Sequence, residues 1–218
     1  METQKRGRLA EYAYEYTKGL LVEGSLQPGE RVRVEEVVAQ LNTSRQPVMD
    51  AFKRLASEGF IEIIPQVGCR VVTPNREEIE DFFLILTGIE STAAEVAATR
   101  RTPEEITDLR VILSDHAALR ERPDSPERTR AFRTVKRDFH HALHAMAHSP
   151  TIANLAAALW DRSDFYLTML VESSDALAKR ISASYEEHVN IFNAIESRDQ
   201  SAARIAMEEH IAAYAARS

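Results

Sequence analysis

A short run of side chains at the start of a predicted helix has the clearest recognition chemistry in the chain. The run begins at Ser44, a predicted N-cap, and continues with Arg45 and Gln46. On a helical wheel at 100° per residue, these side chains lie on a different arc from the apolar residues of the same helix. The apolar arc contains Val48, Ala51, Phe52 and Leu55, and the second arc contains Arg45, Gln46, Met49 and Lys53.

The chemistry available to the second arc is the recognition of nucleic-acid bases and phosphates. The guanidinium of Arg45 can bond to O6 and N7 of a guanine, and the amide of Gln46 can reach an adenine or a phosphate. The hydroxyl of Ser44 and the N–H groups of the first turn suit a phosphate. Arg33, just before the preceding helix, is placed to touch the phosphate backbone or an adjacent base.

Three helices and a hairpin are predicted to position these side chains. Apolar spacing predicts helices over about 8–23 and 34–41, and a third helix from Ser44 to Gly59. Residues 60–63 and 70–72 are predicted strands, and Gly68 in the tip between them permits a close approach to the minor groove. This order predicts a winged helix-turn-helix domain over residues 1–75. A three-helix interaction module with a solvated polar face is the alternative that periodicity leaves open.

Four motifs favour the winged helix over that alternative. They are Leu26-Gln27-Pro28-Gly29-Glu30-Arg31, Ser44-Arg45-Gln46-Pro47-Val48, Leu55-Ala56-Ser57-Glu58-Gly59-Phe60-Ile61, and Gly68 before a Val-Val strand. Their order and spacing resemble the GntR family of bacterial transcription regulators across nearly all of residues 8–73. The resemblance implies a double-stranded DNA operator as the partner. Met49 stands where the family usually has a second arginine, so the operator sequence is expected to differ.

Charge and cysteine content place further limits on the chain. The net charge is −7, and residues 1–75 carry ten basic and ten acidic side chains, so the acidity lies in residues 76–218. A neutral first part can still carry a basic face. Cys69 is the only cysteine, which excludes an intramolecular disulfide and fits a reducing compartment. We see no apolar run of about 18 residues and no signal peptide, and therefore expect a cytoplasmic protein without a membrane partner.

The rest of the chain, residues 76–218, is predicted to be an all-helical bundle of about six helices, which makes the protein mainly α. Capping signals open its helices at Asn75, Thr102, Ser125, Ser149 and Asp199, and a further helix begins near Ser174. A helical domain of this size after a wing resembles the FCD-type domain of the FadR-like branch of the family. The resemblance implies a homodimer, a pocket for a small-molecule effector, commonly a carboxylate, and in many members a divalent metal held by one Asp and three His.

Three histidines match the family's metal positions. The Phe139-His140 stretch, Glu187-His188 and Glu209-His210 give His140, His188 and His210 as metal ligands and effector-binding residues by resemblance. They lie on three predicted helices, and their apolar neighbours direct them toward the bundle interior. Three neutral imidazoles can hold zinc, nickel or manganese. The alternative is that they are hydrogen-bonded core residues.

The family's metal aspartate is absent, because its position is occupied by Lys136. One hypothesis is therefore a metal-free cationic pocket, in which Lys136 and the histidines take an anionic ligand directly. The other is that three histidines still hold a metal and Lys136 swings out. We favour the first from the sequence. Arg162 is a further candidate for a carboxylate, with a role on the surface as the alternative. His141, His144 and His148 are expected to face solvent or a partner; a secondary metal site is the alternative for His144 and His148, which share a helix face with His140.

The sequence thus predicts a ligand-controlled, DNA-binding transcription regulator, with repression as its mode of action. Two alternatives remain. One is a dimeric DNA-binding protein without an effector. The other is a metalloenzyme built on the three histidines, which lacks an HExxH motif or a carboxylate base at matching spacing.

Overall fold

The computed structural model describes residues 2–168 and 174–216, and it is mainly α, as predicted. Within the described residues the helices are α1 Glu2–Val22, α2 Val34–Gln40, α3 Arg45–Ser57, α4 Arg76–Arg100, α5 Pro103–Arg120, α6 Pro126–Met146, α7 Pro150–Thr168, α8 Ser174–Glu196 and α9 Gln200–Ala216. The strands are β1 Arg31–Val32, β2 Ile61–Ile64 and β3 Gly68–Val71.

The chain forms two compact units. The first joins Met1–Ile79 with Asp161–Leu170, and the second joins Glu80–Trp160 with Val171–Ser218. The division predicted between residues 75 and 76 differs from this grouping mainly in the segment 161–170, which includes the last part of α7.

The first unit has the winged helix-turn-helix order. Helices α1 to α3 precede a small antiparallel sheet of order β1-β3-β2, in which Ile61 pairs with Val71 and Ile64 with Gly68. The two-residue strand β1 is not predicted from the sequence, because two residues give no periodicity. The core of this unit contains the buried side chains of Tyr14, Leu21, Phe52, Leu55, Phe60 and Phe165.

The second unit contains α4 to α6, the first part of α7, and α8 and α9, so the prediction of about six helices is confirmed. Predicted caps account for several helix starts. Thr102 and Glu105 form a capping box at α5, and the Asn75 side chain accepts from the Glu78 backbone N–H at 2.9 Å. Asp199 caps α9 by accepting from the backbone of Ala202 at 2.9 Å. These bonds satisfy N–H groups that a helix start would otherwise leave unpaired.

One helix of the described residues, α4, is long and apolar enough by length and composition to cross a membrane. Half of its most apolar window is buried within the protein. A core helix passes the same test, so α4 is weak evidence for a membrane span.

Candidate nucleic-acid interface and histidine centre

Helix α3 separates an apolar face from a polar one, as the helical wheel predicts. Val48, Phe52 and Leu55 are fully buried against the first unit's core. Arg45, Gln46 and Lys53 are exposed, together with Ser44 at the N-cap position. The Ser44 hydroxyl makes no capping hydrogen bond, and a first-turn N–H that is not capped can bind an anion.

Carboxylates of α2 contact both arginines that the sequence proposes as DNA contacts. Arg45 Nη1 donates to Oε1 of Glu35, and Arg33 Nη1 donates to Oε1 of Glu36 at 2.9 Å. All four side chains are more than half exposed. These pairs lie on the protein surface, where an approaching nucleic acid can meet them.

Asp50 makes a second set of contacts along the polar face of α3. The Gln46 side-chain amide donates to its Oδ1 at 2.9 Å, and Lys53 Nζ lies 4.0 Å from the same oxygen. Met49 is half-buried beside them and brings no polar group. Glu35, Glu36 and Asp50 are not among the contacts predicted from the sequence, although all three stand within one or two turns of those contacts.

The wing brings an additional arginine to the same unit. Arg31 on β1 donates from Nη2 to the carbonyl of Val67 at 3.0 Å, and its guanidinium lies against Gly68. Gly68 has φ +125°, a conformation that favours glycine. A Cβ at Gly68 would lie 3.4 Å from Arg31 Nη2. Arg31 therefore holds the tip of the wing, a role that depends on strand pairing and has no signal in the local sequence.

In the second unit, three helices bring His140, His188 and His210 together. All three side chains are fully buried, and one nitrogen from each lies within 4.8 Å of the others. They come from α6, α8 and α9, as the sequence analysis expects.

Two carboxylates fix the orientation of these imidazoles. His140 Nδ1 donates to Oε2 of Glu90 at 2.8 Å, and His210 Nδ1 donates to Oε2 of Glu187 at 2.8 Å. A carboxylate is an acceptor only, so the proton of each neutral ring is on Nδ1 and the lone pair is on Nε2. The second oxygen of Glu90 accepts from His144 Nε2 at 2.8 Å.

The arrangement directs two lone pairs at each other. His140 Nε2 and His210 Nε2 are 3.2 Å apart, and two acceptors cannot share a hydrogen bond. His188 Nε2 is buried and has no hydrogen-bond partner. A cation bound to Nε2 of His140 and of His210 would remove this conflict, and with the His188 proton on Nδ1 it could bind Nε2 of His188 as well. Carboxylate–histidine pairs of this kind are the usual support of a metal-binding imidazole.

The His188 ring contacts aromatic rings from two other helices, Phe139 of α6 and His116 of α5. The ring of Phe139 stacks on it with centroids 3.9 Å apart, and His116 Nδ1 lies 3.2 Å from its Nδ1. One of these two Nδ1 atoms must donate and the other accept. His116, fully buried on α5, was missed by the sequence analysis because nothing near it in sequence distinguishes it from a core residue.

Burial keeps the histidines neutral. It lowers the pKa of His140 to about 4 against the opposing charge of Glu90, and lowers the pKa of His116 to about 4. The pKa values of His188 and His210 are also lowered by burial. Burial alone would raise the pKa of Glu90, but the two histidines that bond to it outweigh burial and lower that pKa to about 2. At neutral pH His140, His188 and His210 are therefore neutral and Glu90 is ionised.

Lys136 lies beside this centre. Its side chain is buried on α6, and its Nζ is 5.4 Å from the centroid of the Trp160 ring. The same ring lies 3.9 Å from the His140 ring between centroids. The charge of Lys136 contributes to the lowered pKa values of His188 and His210.

The structure does not group Arg162 with the histidines. Arg162 belongs to the segment of α7 in the first unit, where Nε donates to the Tyr166 hydroxyl at 2.8 Å and the guanidinium lies against Gly59. Its sequence assignment rested on charge alone, and charge does not locate a side chain.

The prediction that His144 faces solvent or a partner is wrong. His144 is buried, and the bond to Glu90 satisfies one of its ring nitrogens. It stands one turn from His140 on the same face of α6, which was the available signal. His141 is exposed, and His148 is half-exposed and lies 3.2 Å from Glu105, so these two are on the surface.

Two family descriptions match the chain. The pattern described as "Bacterial regulatory proteins, gntR family" matches residues 9–71, and the FCD domain pattern matches residues 81–213. The HTH-type transcriptional repressor RspR of Escherichia coli is 30% identical over 190 residues, which cover 85% of this chain and 78% of RspR. A probable D-xylose utilization operon transcriptional repressor of Paenarthrobacter nicotinovorans is 28% identical over 89% of this chain and 81% of its own length.

Solved structures agree in fold. E. coli McbR/YncC superposes with a TM-score of 0.77 at 21% identity, covering 94% of each chain. A putative GntR transcriptional regulator from Rhodococcus sp. RHA1 superposes with a TM-score of 0.73 at 17% identity, covering 95% of each chain. At these identities the likeness concerns the fold alone.

Proposed function

This chain belongs to the gntR family of bacterial regulatory proteins and carries an FCD domain, so it is a DNA-binding transcription regulator and not an enzyme; we propose that it is a cytoplasmic repressor controlled by a small metabolite in its helical unit. The proposal has two parts, one for each unit. The first concerns the residues that contact the operator, and the second concerns the histidine centre.

For the operator, α3 enters the major groove and Arg45 reads a guanine. Support comes from its position at the exposed first turn of a helix whose other face is buried. Gln46 and Lys53 follow on the same face, while Ser44 and Arg33 are suited to phosphates. Met49 can contact only an apolar group such as a thymine methyl.

For the effector site, the histidines hold a divalent metal. The observation that supports the metal is the 3.2 Å distance between Nε2 of His140 and Nε2 of His210, whose lone pairs face each other. His140, His188 and His210 would be its ligands, and zinc, nickel or manganese suit imidazole nitrogen. Such an ion would supply positive charge for an anionic metabolite such as a carboxylate. The hydrogen bonds of His140 to Glu90 and of His210 to Glu187 leave lone pairs facing the centre. They favour the metal over the metal-free alternative, since a carboxylate effector needs N–H donors and not lone pairs.

Lys136 has a defined part in this scheme. Its buried side chain adds a positive charge near the imidazoles of His188 and His210. We infer that it interacts with the effector, in place of the acidic ligand that other members of the family offer to the metal.

A second copy of the chain is the expected partner. Leu84 and Ile85 are strongly exposed on α4, at 73% and 59%, and Gly88 is exposed one turn later. Contiguous exposed apolar groups on a helix are typical of an interface. A homodimer would present two copies of α3 to half-sites one helical turn apart.

Metal analysis of untagged protein tests the second part. We expect a stoichiometric divalent ion in the wild type and its loss from the variant His188→Ala. His141→Ala is the matched control, because it removes an exposed histidine of the same bundle. Metal-free protein that still binds its operator and effector would overturn the metal, and would return the site to a cationic pocket formed with Lys136.

Screening by thermal shift separates the regulator from a DNA-binding protein without an effector. Metal-loaded protein is heated with small carboxylates and sugar acids, and a ligand of the helical unit stabilises it by mass action. Failure of every compound to shift the melting temperature, with operator binding intact, would favour the protein without an effector.

A further inference from the structure

The ion pair between Glu35 and Arg45 joins the two helices of the helix-turn-helix at its exposed face. Glu35 lies in the first turn of α2, and Arg45 in the first turn of α3. Both side chains are well exposed, at 71% and 65%, so the pair contributes little to stability. Its position at the predicted reading arginine suggests a role in recognition.

The hydrogen bond between Glu35 and Arg45 leaves one edge of the Arg45 guanidinium available to contact a base. Glu35 accepts from Nη1 of Arg45, whereas Nη2 and Nε form another edge of the same planar group. Two parallel N–H donors are what a guanine needs at O6 and N7. The carboxylate can therefore stay in place while Arg45 contacts a base.

We propose that Glu35 is a specificity-determining residue that orients Arg45 toward a guanine and prevents it from binding phosphates. This inference rests on the proposed role of Arg45 as a base reader. A flexible arginine without a partner can follow the phosphate backbone of any sequence, and such contacts carry no sequence information. An arginine held at Nη1 has fewer orientations, and the carboxylate beside it repels phosphates.

The surroundings of Glu35 support a carboxylate that stays ionised at this place. The N–H of its own residue at the start of α2 and the hydrogen bond from Arg45 lower the pKa of Glu35, and the charge of Arg31 contributes. Arg31 is itself fixed to the wing through the carbonyl of Val67. Glu35 thus stands among positive charges from the recognition helix and from the wing.

Glu36 provides a matched control one residue along the chain. It is as exposed as Glu35 and pairs with Arg33, which is proposed to contact the backbone and not to define a base. Replacing either glutamate with glutamine removes one negative charge from the same helix turn. Only Glu35→Gln changes the ion pair at Arg45 into a weaker hydrogen bond to a neutral amide.

The test uses full-length protein and duplexes selected from a random-sequence pool by the wild type. Arg45→Ala first identifies the base pair whose preference depends on Arg45. Glu35→Gln is then expected to lower the preference for guanine at that position by roughly threefold or more, a fraction of a full bidentate contact. It is also expected to steepen the salt dependence of binding to a random duplex by up to about 0.9 in slope.

Glu36→Gln is expected to steepen the same slope without changing the guanine preference. The proposal is overturned if the two variants change the preference equally, or if neither changes it while Arg45→Ala does. If Arg45→Ala changes the base preference at no position of the operator, Arg45 is not a base reader. The proposed role of Arg45 then fails together with that of Glu35.

Discussion

Replacing Glu90 with glutamine should weaken metal binding at the histidine centre, although Glu90 itself would not touch the metal. Glu90 is fully buried and accepts two hydrogen bonds of 2.8 Å, from His140 Nδ1 and His144 Nε2. A glutamine has one acceptor oxygen, and its NH₂ group would face the N–H of the other ring. One imidazole must then move its proton to its other nitrogen or lose its partner.

The loss of metal affinity depends on which of the two rings, His140 or His144, changes its tautomer. If His140 changes tautomer, the lone pair leaves Nε2 and a metal ligand is lost. Changes of this kind in the support of a metal-bound histidine cost about 10–100-fold in affinity. The lost bond to a charged acceptor also costs roughly 1.5–3 kcal/mol of stability, partly offset because a neutral amide is easier to bury than a carboxylate.

The assay is a competition for zinc against a chromophoric chelator at neutral pH, with metal-free protein as the starting material. Glu95→Gln is the control, since Glu95 is on the same helix and its partner, Arg204, lies at 2.7 Å near the surface. Its zinc affinity should equal that of the wild type. A Glu90→Gln protein that binds zinc as tightly as the wild type would refute the reasoning from fixed tautomers.

Three further predictions concern stability, pH and assembly. Phe52→Ala should cost about 3–5 kcal/mol in chemical unfolding of the first unit, because the ring is fully buried, and a smaller loss would mean that the core collapses around the cavity. Metal-free protein should lose stability as the pH falls from about 6.5 toward 4, because His116 and His140 bind protons in this range in the unfolded chain but not when buried. A free energy of unfolding that stayed constant across this range would contradict the prediction. Ile85→Glu should shift the protein toward monomer in sedimentation, and an unchanged mass would place the dimer contact elsewhere.

Local signals in the sequence explain most of the secondary structure. The apolar arc of α3 and the caps at Thr102 and Asp199 are found where they were predicted, because both depend on residues within one or two turns. The start of α1 was less clear: the helix begins at Glu2, whereas apolar spacing begins only near residue 8. Polar residues continue a helix without leaving a periodic signal.

The partners of the candidate sites were harder to predict than the sites themselves. The three histidines of the centre could be named, but the contact of Glu90 with His140 spans 50 residues, and that of His116 with His188 spans 72. Pairings of this length depend on how helices pack and not on local pattern. Glu35 was missed for a related reason, since its contact with Arg45 crosses the turn between two helices.

The position of Trp160 gives the protein an optical reporter of its own. It is the only tryptophan of the chain, and its ring lies 3.9 Å from His140 and 5.4 Å from the Lys136 ammonium. Fluorescence from this single indole therefore comes from the wall of the histidine centre, with no second tryptophan to obscure it. Changes in the charge or occupancy of the centre can be followed by emission in the unlabelled wild-type protein, in real time and during operator binding.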